Sequence, residues 1–255
     1  MSDNKNNNLF EYVLRLADDR FILSCRLGEL CGHGPILEED LALTNITLDF
    51  LGEAENLYLY AAELKGNGAT SDSLAYLRTE KEYKNVLLTE QDNDDFAHTI
   101  VRQFLFDTFD YYFCTELSQS KDERLVAIAK KSIKEVTYHL RHSSSWIIKL
   151  GDGTDDSHKR MQQAINDLWM YVGELFESDD IDDELAKIGI APNLNEIKSK
   201  WDKTVSDTFK EAGLDIPEND FAMMGGRLGH HSEALGHILS DIQYVGRVYP
   251  GASWD

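Results

Sequence analysis

The sequence predicts an all-α protein, and three observations lead to this class. Apolar residues recur at steps of three and four along several long segments, which is the spacing of a buried helix face. Only four of the 255 residues are proline, so helix breakers are rare for the length of the chain. Glycines and short polar stretches separate the periodic segments, as expected where helices end.

Two pairs of long helices are predicted within the first 150 residues. The first pair covers residues 9–31 and 38–64, and a short turn with Gly32, Gly34 and Pro35 joins its members. The second pair covers residues 94–117 and 122–150, with Asp94 and Asp122 at the helix starts. Residues 66–95 lie between the pairs and are mixed in character. They predict a long crossover that includes one short helix over residues 73–84.

Two antiparallel helix pairs joined by a long crossover are typical of a ferritin-like four-helix bundle. Further helices are predicted at residues 155–176, 194–212 and 231–248, with an acidic link at 177–184. No Gly/Ser-rich linker and no internal repeat divides the chain. We therefore predict a single ferritin-like helical domain over residues 1–255, with a core bundle at about 9–150 and appended helices at about 155–250.

Composition restricts the partners of the chain. It has 46 acidic residues against 25 lysines and arginines, a net charge of -21, which disfavours nucleic acid and anionic membranes as general partners. No apolar run approaches the ~20 residues of a membrane-spanning helix, and residues 1–8 carry no apolar signal core, so we expect a cytoplasmic protein. The cysteines Cys25, Cys31 and Cys114 lie in apolar stretches and are interpreted as buried thiols.

The most informative feature is a missing metal motif. Di-iron enzymes of this fold take a Glu from each of two helices and an E-x-x-H pair from each of the other two. No E-x-x-H occurs in the sequence, and the second predicted helix has no histidine. His98 and His158 follow an aspartate at this spacing, but each lies in the first turn of its helix, where the acid is better explained as a cap. The pattern predicts a bundle without a di-iron site, whose centre holds apolar or unpaired side chains.

Two weaker groups of residues keep alternatives open. Glu135, His139 and His142 share one face of the fourth helix. They form either the metal site of an enzyme in its own right or a hydrogen-bonded cluster near Tyr138 and Arg141. Four acids lie among apolar neighbours, as remnants of ligands or, more simply, in salt bridges with Arg15, Arg20 or Arg102; these acids are Asp18, Asp49, Asp107 and Asp110.

Seven blocks of the sequence resemble the C-subunit family of bacterial phenylacetyl-CoA epoxidases. They run in order from Tyr12 to Val248 and read YVLRLAD, RLGELCGHGP, DLALTNI, KEVTYHLR, LGDGT, MQQAIN and IQYVGRV. Together they extend over nearly the whole chain, and both their content and their order are specific.

This resemblance implies a component of a monooxygenase complex that depends on NADPH and O2. In the family, a catalytic subunit holds the di-iron centre and binds phenylacetyl-CoA, a reductase supplies electrons, and the product is a ring 1,2-epoxide in aerobic phenylacetate degradation. The C subunit is implied to share the fold, to lack the ligands and to support the catalytic subunit. We expect no cofactor on this chain, assembly into a hetero-oligomer through the outer faces of the first four helices, and apolar Leu51 and Ala54 at the lost ligand positions.

The resemblance also implies that two segments lie near bound CoA. Lys81 and Lys84 would meet its phosphates and Tyr83 would stack on adenine; the alternative is a solvated helix face. A free-standing bundle that binds an acyl-CoA is a third possibility. No catalytic and no metal-binding residue is predicted. The predicted CoA-contact residues are Glu82, Tyr83, Lys84, Asn85, Asp183, Glu184 and Leu185.

Overall fold

Long helices account for most of the structure, a computed structural model that describes residues 2–218 and 221–252, with side chains from residue 6 onward. This part of the chain forms nine α-helices and no β-strand, so the all-α prediction is confirmed. The helices are α1 (Ser2–Gly28), α2 (Leu37–Lys65), α3 (Ser71–Tyr76), α4 (Phe96–Leu117), α5 (Glu123–Gly151), α6 (Asp155–Leu168), α7 (Asp180–Lys187), α8 (Leu194–Glu211) and α9 (Glu233–Val248).

The four longest helices make the bundle. Helix α1 packs along α2, α4 packs along α5, and α2 also meets α5, while α6 and α8 lie against α4. The centre is aromatic: the rings of Phe50 and Phe106 meet edge to face, 5.8 Å apart. One connected cluster of buried apolar side chains extends from Leu9 to Leu239. The layout is consistent with the ferritin-like prediction, and the one-domain organisation stays a prediction. No described helix is both long and apolar enough to cross a bilayer.

Side-chain caps set the helix starts. Asp95, and not Asp94, caps α4 by accepting a 3.0 Å hydrogen bond from the amide of His98. Asp122 caps α5 in the same way through Leu125, as predicted. Helix α6 stops at Leu168, and two 3-10 turns follow, Trp169–Tyr171 and Gly173–Phe176. The predicted helix over residues 155–176 is therefore too long.

The acidic link predicted over residues 177–184 is wrong, because α7 begins inside it. Asp179 caps this helix and accepts hydrogen bonds from the amides of Ile181 and Asp182. Acidic side chains in a first turn are stabilised by the positive end of the helix dipole, so the same acidity that suggests a loop favours a helix start. Leu185 anchors the helix in the core.

The crossover is irregular and largely buried. The single helix predicted over residues 73–84 is wrong, since α3 ends at Tyr76 and only the 3-10 turns Glu80–Glu82 and Leu87–Glu90 follow. Buried backbone of this kind needs polar partners. Glu174 supplies them: one carboxylate oxygen accepts from the amide of Leu87 (2.7 Å), and the other accepts from those of Gly225 (2.9 Å) and Gly226 (2.7 Å).

Position 226 requires glycine, because the backbone there approaches the backbone of the crossover closely. A Cβ atom there would lie only 2.1 Å from the carbonyl oxygen of Asn85. The backbone of the segment before α9 therefore rests directly on the crossover, and the carboxylate of Glu174 fastens the two together.

We expect Glu174→Ala to destabilise the protein strongly. It would leave three buried amides without an acceptor, which should lower the free energy of unfolding by about 3–5 kcal/mol, as urea unfolding would measure. The matched control is Glu177→Ala, an exposed acid three residues on, which should change stability by less than about 0.5 kcal/mol. Equal stability of the two variants would contradict this role of Glu174.

Candidate functional site

Charged side chains from three helices meet at the centre of the bundle. Arg20 of α1 donates from Nε to Glu53 of α2 (3.0 Å) and from Nη2 to Asp110 of α4. Its third nitrogen donates to the carbonyl oxygen of Leu16 (3.3 Å). All three charged side chains are buried, and that of Arg20 is only 1% exposed. One guanidinium thus pairs with two carboxylates that lie where a bundle of this fold projects its inward groups.

The surroundings of Arg20 keep it charged and fixed. The aromatic rings of Phe106 and Phe113 lie 5.9 and 5.5 Å from its guanidinium carbon. Burial opposes the charge, but Asp110 and Glu53 raise the pKa of Arg20 above its ordinary value. Burial raises the pKa of Asp110 to about 7, and Arg20 opposes that rise. The prediction of an apolar or unpaired centre is therefore only partly right: aromatic rings such as Phe50 and Phe106 line the centre, but an internal ion pair lies among them.

Leu51 and Ala54 are the predicted positions of the lost metal ligands on α2, and this placement also needs correction. Leu51 does not point into the bundle: it is 38% exposed and lines a surface groove of about 220 Å³ together with Tyr58 and Tyr76. Ala54 is buried, as expected for an apolar position. The inward charged residue of α2 is Glu53. An alignment by sequence pattern alone misses this position.

A second polar cluster lies beside the ion pair. His139 of α5 contacts Asp49 of α2, with 3.0 Å between Nε2 and Oδ2. Ser143 donates to Asp107 at 2.8 Å. Burial opposes protonation of His139, but the hydrogen bond to Asp49 and the nearby Asp107 raise its pKa. Burial raises the pKa of Asp107 to about 6, with His139 as the main opposing charge.

Glu135, His139 and His142 do not come together as a metal site. His142 contacts Glu39 through Nε2 at 2.8 Å, whereas His139 contacts Asp49, so the two imidazoles pair with different carboxylates of α2. Glu39 also accepts from the indole of Trp146 at 2.8 Å. Hydrogen-bonded pairing, one of the two interpretations of this helix face, is what the structure shows.

Within the described residues, Glu53, Asp110 and Cys114 form the one group whose potential ligand atoms all lie within 4.8 Å of one another. Their chemistry does not fit a di-iron centre. Burial and the charge of Asp110 raise the pKa of Cys114 well above its ordinary value, so it is a thiol that points at Asp110, 3.5 Å away. Arg20 holds the two carboxylates, and its charge would repel a metal ion.

The remaining inward acids pair differently from the prediction. Asp18 binds Arg78 and the hydroxyl of Tyr58 rather than Arg15. Arg15 instead reaches Asp179 and Asp182.

Arg102 forms no ion pair of the predicted kind. Its guanidinium donates to the carbonyl oxygen of Gln91 (2.7 Å) and to the side chain of Asn93 (2.8 Å). Only Arg20 pairs with one of the four inward acids as predicted, through Asp110.

The predicted CoA segment at residues 82–85 contains buried structural residues. Tyr83 is fully buried, its hydroxyl donates to the carbonyl oxygen of Ala75, and Arg78 lies 4.2 Å from its ring centroid. Its ring is therefore not free to stack on adenine. Asn85 is equally buried and donates to Glu90 at 2.9 Å.

Glu82 and Lys84 differ from their neighbours, because solvent reaches both side chains. Glu82 closes the turn before it by accepting from the amide of Thr79 at 2.7 Å. The amide of Lys84 donates to Asp18 at 2.8 Å, and the residue is partly exposed. Lys81, next to Glu82, is exposed as well.

The second predicted segment lies in α7. Asp183 and Glu184 are exposed, and Glu184 accepts from Asn8 at 2.7 Å, while Leu185 is buried. This segment attaches to α1 through Arg15, whereas residues 82–85 attach through Asp18. Of the seven predicted residues, the structure leaves Glu82, Lys84, Asp183 and Glu184 accessible.

Comparison with known proteins agrees with this architecture. The family described as "Phenylacetic acid catabolic protein" matches residues 1–254. The chain belongs to this family. Within it, the chain is similar to the C subunit of the 1,2-phenylacetyl-CoA epoxidase of Escherichia coli (strain K12): 48% of residues are identical over 248 positions, which cover 97% of this chain and 100% of that relative. The resemblance inferred from the seven sequence blocks is confirmed.

We expect Arg20→Met to destabilise the protein by about 3–5 kcal/mol at pH 7, because two buried carboxylates lose their cation. The loss should shrink at pH 5, where Asp110 can take up a proton. Urea unfolding at both pH values measures this effect.

The triple variant Arg20→Met/Glu53→Gln/Asp110→Asn should recover part of that loss, since it buries no net charge. Arg160→Met, which removes an exposed arginine, serves as the control and should cost less than about 1 kcal/mol. A single variant as stable as the wild type would show that Arg20 does not balance these charges.

We expect His231 to make stability fall as pH rises. Its Nδ1 contacts Glu90 (2.8 Å) and its Nε2 contacts the carbonyl oxygen of Tyr83 (3.0 Å), so only the imidazolium can donate to both. Burial opposes the charge, but Glu90 raises the pKa of His231. Its stabilisation is complete below the ordinary histidine pKa of ~6.5 and is lost as pH passes the raised value.

Chemical unfolding at pH 6 and pH 8.5 tests this expectation. His231→Gln should show a smaller loss of stability between the two pH values than the wild type does. Substitution of the exposed His33 by Gln should leave the wild-type difference intact. Identical pH dependence in His231→Gln and the wild type would refute the assignment.

Proposed function

We propose that this chain is the C subunit of a 1,2-phenylacetyl-CoA epoxidase and that it acts there as a structural, non-catalytic partner of the di-iron catalytic subunit. The relative that supports this proposal is named as one subunit of a multi-subunit enzyme and is matched over its full length. The observation that carries the structural role is the Arg20–Glu53–Asp110 ion pair at the centre of the bundle.

An internal arginine allows such a subunit to fold without a metal ion. A bundle that relies on iron stays charge-imbalanced until the metal is loaded, because its inward carboxylates repel one another. Arg20 supplies a permanent positive charge from the chain itself. The fold is then complete without a cofactor, which suits a subunit whose work is to hold and support a second helical protein.

In this proposal the chemistry belongs to other subunits of the complex. The catalytic subunit holds the di-iron centre and phenylacetyl-CoA, and a reductase delivers electrons from NADPH. For CoA contact, this chain offers the ammonium groups of Lys81 and Lys84 beside Glu82. Tyr83, Asn85 and Leu185 would only hold their segments in place.

A metal-dependent enzyme based on Glu135, His139 and His142 is the competing function. No observation favours it, because both histidines are engaged by separate carboxylates of α2. The two functions differ in what they require of His139. A catalytic metal ligand cannot be replaced by alanine without loss of turnover, whereas a structural histidine can be.

We expect the purified chain to carry far less than one iron per chain, measured by elemental analysis together with mass determination. Alone it should show no epoxidation of phenylacetyl-CoA. Mixed with the catalytic and reductase subunits it should restore full turnover, and His139→Ala should retain most of that turnover when its lower stability is offset by assay at low temperature.

Stoichiometric iron in the isolated chain would overturn the structural role. So would a His139→Ala variant that is folded by circular dichroism and enters the complex, yet supports no turnover. Co-expression with the catalytic subunit provides the control, because iron should then appear in the complex in proportion to that subunit alone.

A further inference from the structure

One surface groove combines aromatic and acidic side chains. Residues of α1, α2 and α3 line it, and its volume is about 220 Å³. Three of these residues are aromatic, Phe21, Tyr58 and Tyr76, and two are acidic, Glu55 and Asp72. No lysine, arginine or histidine of the described chain lines it. We call it the Tyr76 groove.

The three rings form two edge-to-face pairs around Phe21. Its ring centroid lies 5.7 Å from that of Tyr58 and 5.4 Å from that of Tyr76, with interplanar angles of 77° and 88°. Phe21 and Tyr58 are buried, and the hydroxyl of Tyr58 donates to Asp18 at 2.6 Å, so both rings are held in place. Tyr76 is 38% exposed and is the outermost of the three. Rings at such angles resemble the aromatic cages that recognise alkylated ammonium groups.

Within the described residues, the two carboxylates of the groove lack a cation partner. Glu55 of α2 and Asp72 of α3 are exposed, and no salt bridge of the described chain involves either. Burial raises the pKa of Tyr76, and the neighbouring Cys25, Asp72 and Glu55 add to this rise. The negative charge at the rim therefore acts on the ring that lies outermost in the groove.

One cation lies close by, but it is engaged elsewhere. The guanidinium carbon of Arg78 is 5.8 Å from the ring centroid of Tyr58. Its nitrogens donate to Asp18 and to the carbonyl oxygens of Leu74 and Glu82, and the side chain is 8% exposed. Arg78 is not among the residues that line the groove. The two rim carboxylates are therefore left for a cation from outside the chain.

The size and chemistry of the groove restrict the kind of cation. A cavity of about 150 Å³ accommodates benzene, so 220 Å³ is sufficient for a cation of similar size. Hard metal ions require several oxygen ligands around them, and aromatic rings offer none. A primary ammonium is strongly hydrated and leaves water reluctantly. The alkyl groups of an alkylated ammonium can lie on the rings while its charge stays near the carboxylates.

We propose that the Tyr76 groove binds a small organic cation that carries alkyl groups on its nitrogen. The alkyl groups contact the rings of Phe21, Tyr58 and Tyr76, and Glu55 and Asp72 attract the charge from the rim. This binding site goes beyond the proposed function and does not depend on it, because all five residues belong to this chain.

Proton NMR of tetramethylammonium, titrated with the full chain, tests the site. Protons held against the faces of aromatic rings are shielded, so the methyl resonance should move upfield in a saturable way, with a Kd on the order of 1–10 mM. The neutral molecule tert-butanol has nearly the same size and should bind at least about threefold more weakly, because the rings and carboxylates attract charge. N-acetyl-lysinamide, which represents a side chain of another protein, should also bind more weakly.

Two variants remove the two kinds of contact. Tyr76→Leu keeps an apolar side chain but removes one ring, and it should raise the Kd by about two- to fivefold. Glu55→Gln/Asp72→Asn removes both charges and should raise the Kd by about threefold or more. Phe21 and Tyr58 stay unchanged because both are buried. The melting temperature of each variant should stay within a few degrees of the wild type, which separates lost binding from lost folding.

Matched controls change the same residue types elsewhere. Tyr249→Leu removes an exposed ring just after α9, and Glu123→Gln/Glu211→Gln removes two exposed carboxylates of α5 and α8. Both controls should bind tetramethylammonium like the wild type. The second control lowers the net charge of -21 by the same amount as the groove variant, so it isolates the local carboxylates from the general attraction of an acidic protein for cations.

Four outcomes would overturn the cation site. The first is a wild-type chain that gives no saturable upfield shift. The second is tert-butanol that binds as tightly as tetramethylammonium, because the groove would then be merely apolar. Equal weakening by the groove variants and their controls would assign the attraction to overall charge. Tighter binding of N-acetyl-lysinamide would make a protein side chain the occupant, in place of a free cation.

Discussion

Three consecutive charges are buried in the first helix, and the rest of the fold is arranged to neutralise them. Asp18, Asp19 and Arg20 are each no more than 1% exposed. An isolated charge in such surroundings is too costly to keep, so each requires a partner that is equally buried. Because successive residues of a helix point about 100° apart, the three side chains reach in three directions and recruit three separate parts of the chain.

Those parts are the crossover, the segment before α9 and the bundle centre. Asp18 accepts from Arg78 and from the amide of Lys84, which fixes the crossover. Asp19 accepts from Arg227 and from the amide of Val86, which binds the later segment to the same place. Arg20 faces inward to its two carboxylates. Irregular backbone thus remains ordered without regular secondary structure, since buried carboxylates satisfy its amides.

The sequence predicts the long helices well, but it predicts the partners of the buried charges poorly. Helices α1, α2, α4, α5, α8 and α9 follow from apolar periodicity, with ends that shift by a few residues according to which side chain caps them. The acidic stretch before α7 looks like a loop by composition, yet it is a helix start. Likewise, Tyr83 and Asn85 look accessible because their neighbours in the sequence are polar, but both are buried and find partners in the interior, Tyr83 at the carbonyl oxygen of Ala75 and Asn85 at Glu90.

Arg20 could have been anticipated in part. It follows two aspartates and precedes Phe21 and Ile22 in a segment otherwise fit for a core, and a run of charges inside an apolar helix indicates internal ion pairs. Its partners could not be read in the same way. Glu53 and Asp110 lie 33 and 90 residues away, and only the packing of the helices makes them neighbours.

The distance along the chain between Asp19 and Arg227 has a consequence for synthesis. The two residues are separated by 208 positions, so the first helix leaves the ribosome long before its partner exists. At ~5–20 residues per second, translation of the intervening chain takes about 10–40 s. Throughout that interval Asp19 lacks the two-pronged ion pair with Arg227, and the only arginine at its side is Arg20 of the same helix, 3.9 Å away. The amino-terminal helices therefore reach their final packing only when the last quarter of the polypeptide has emerged.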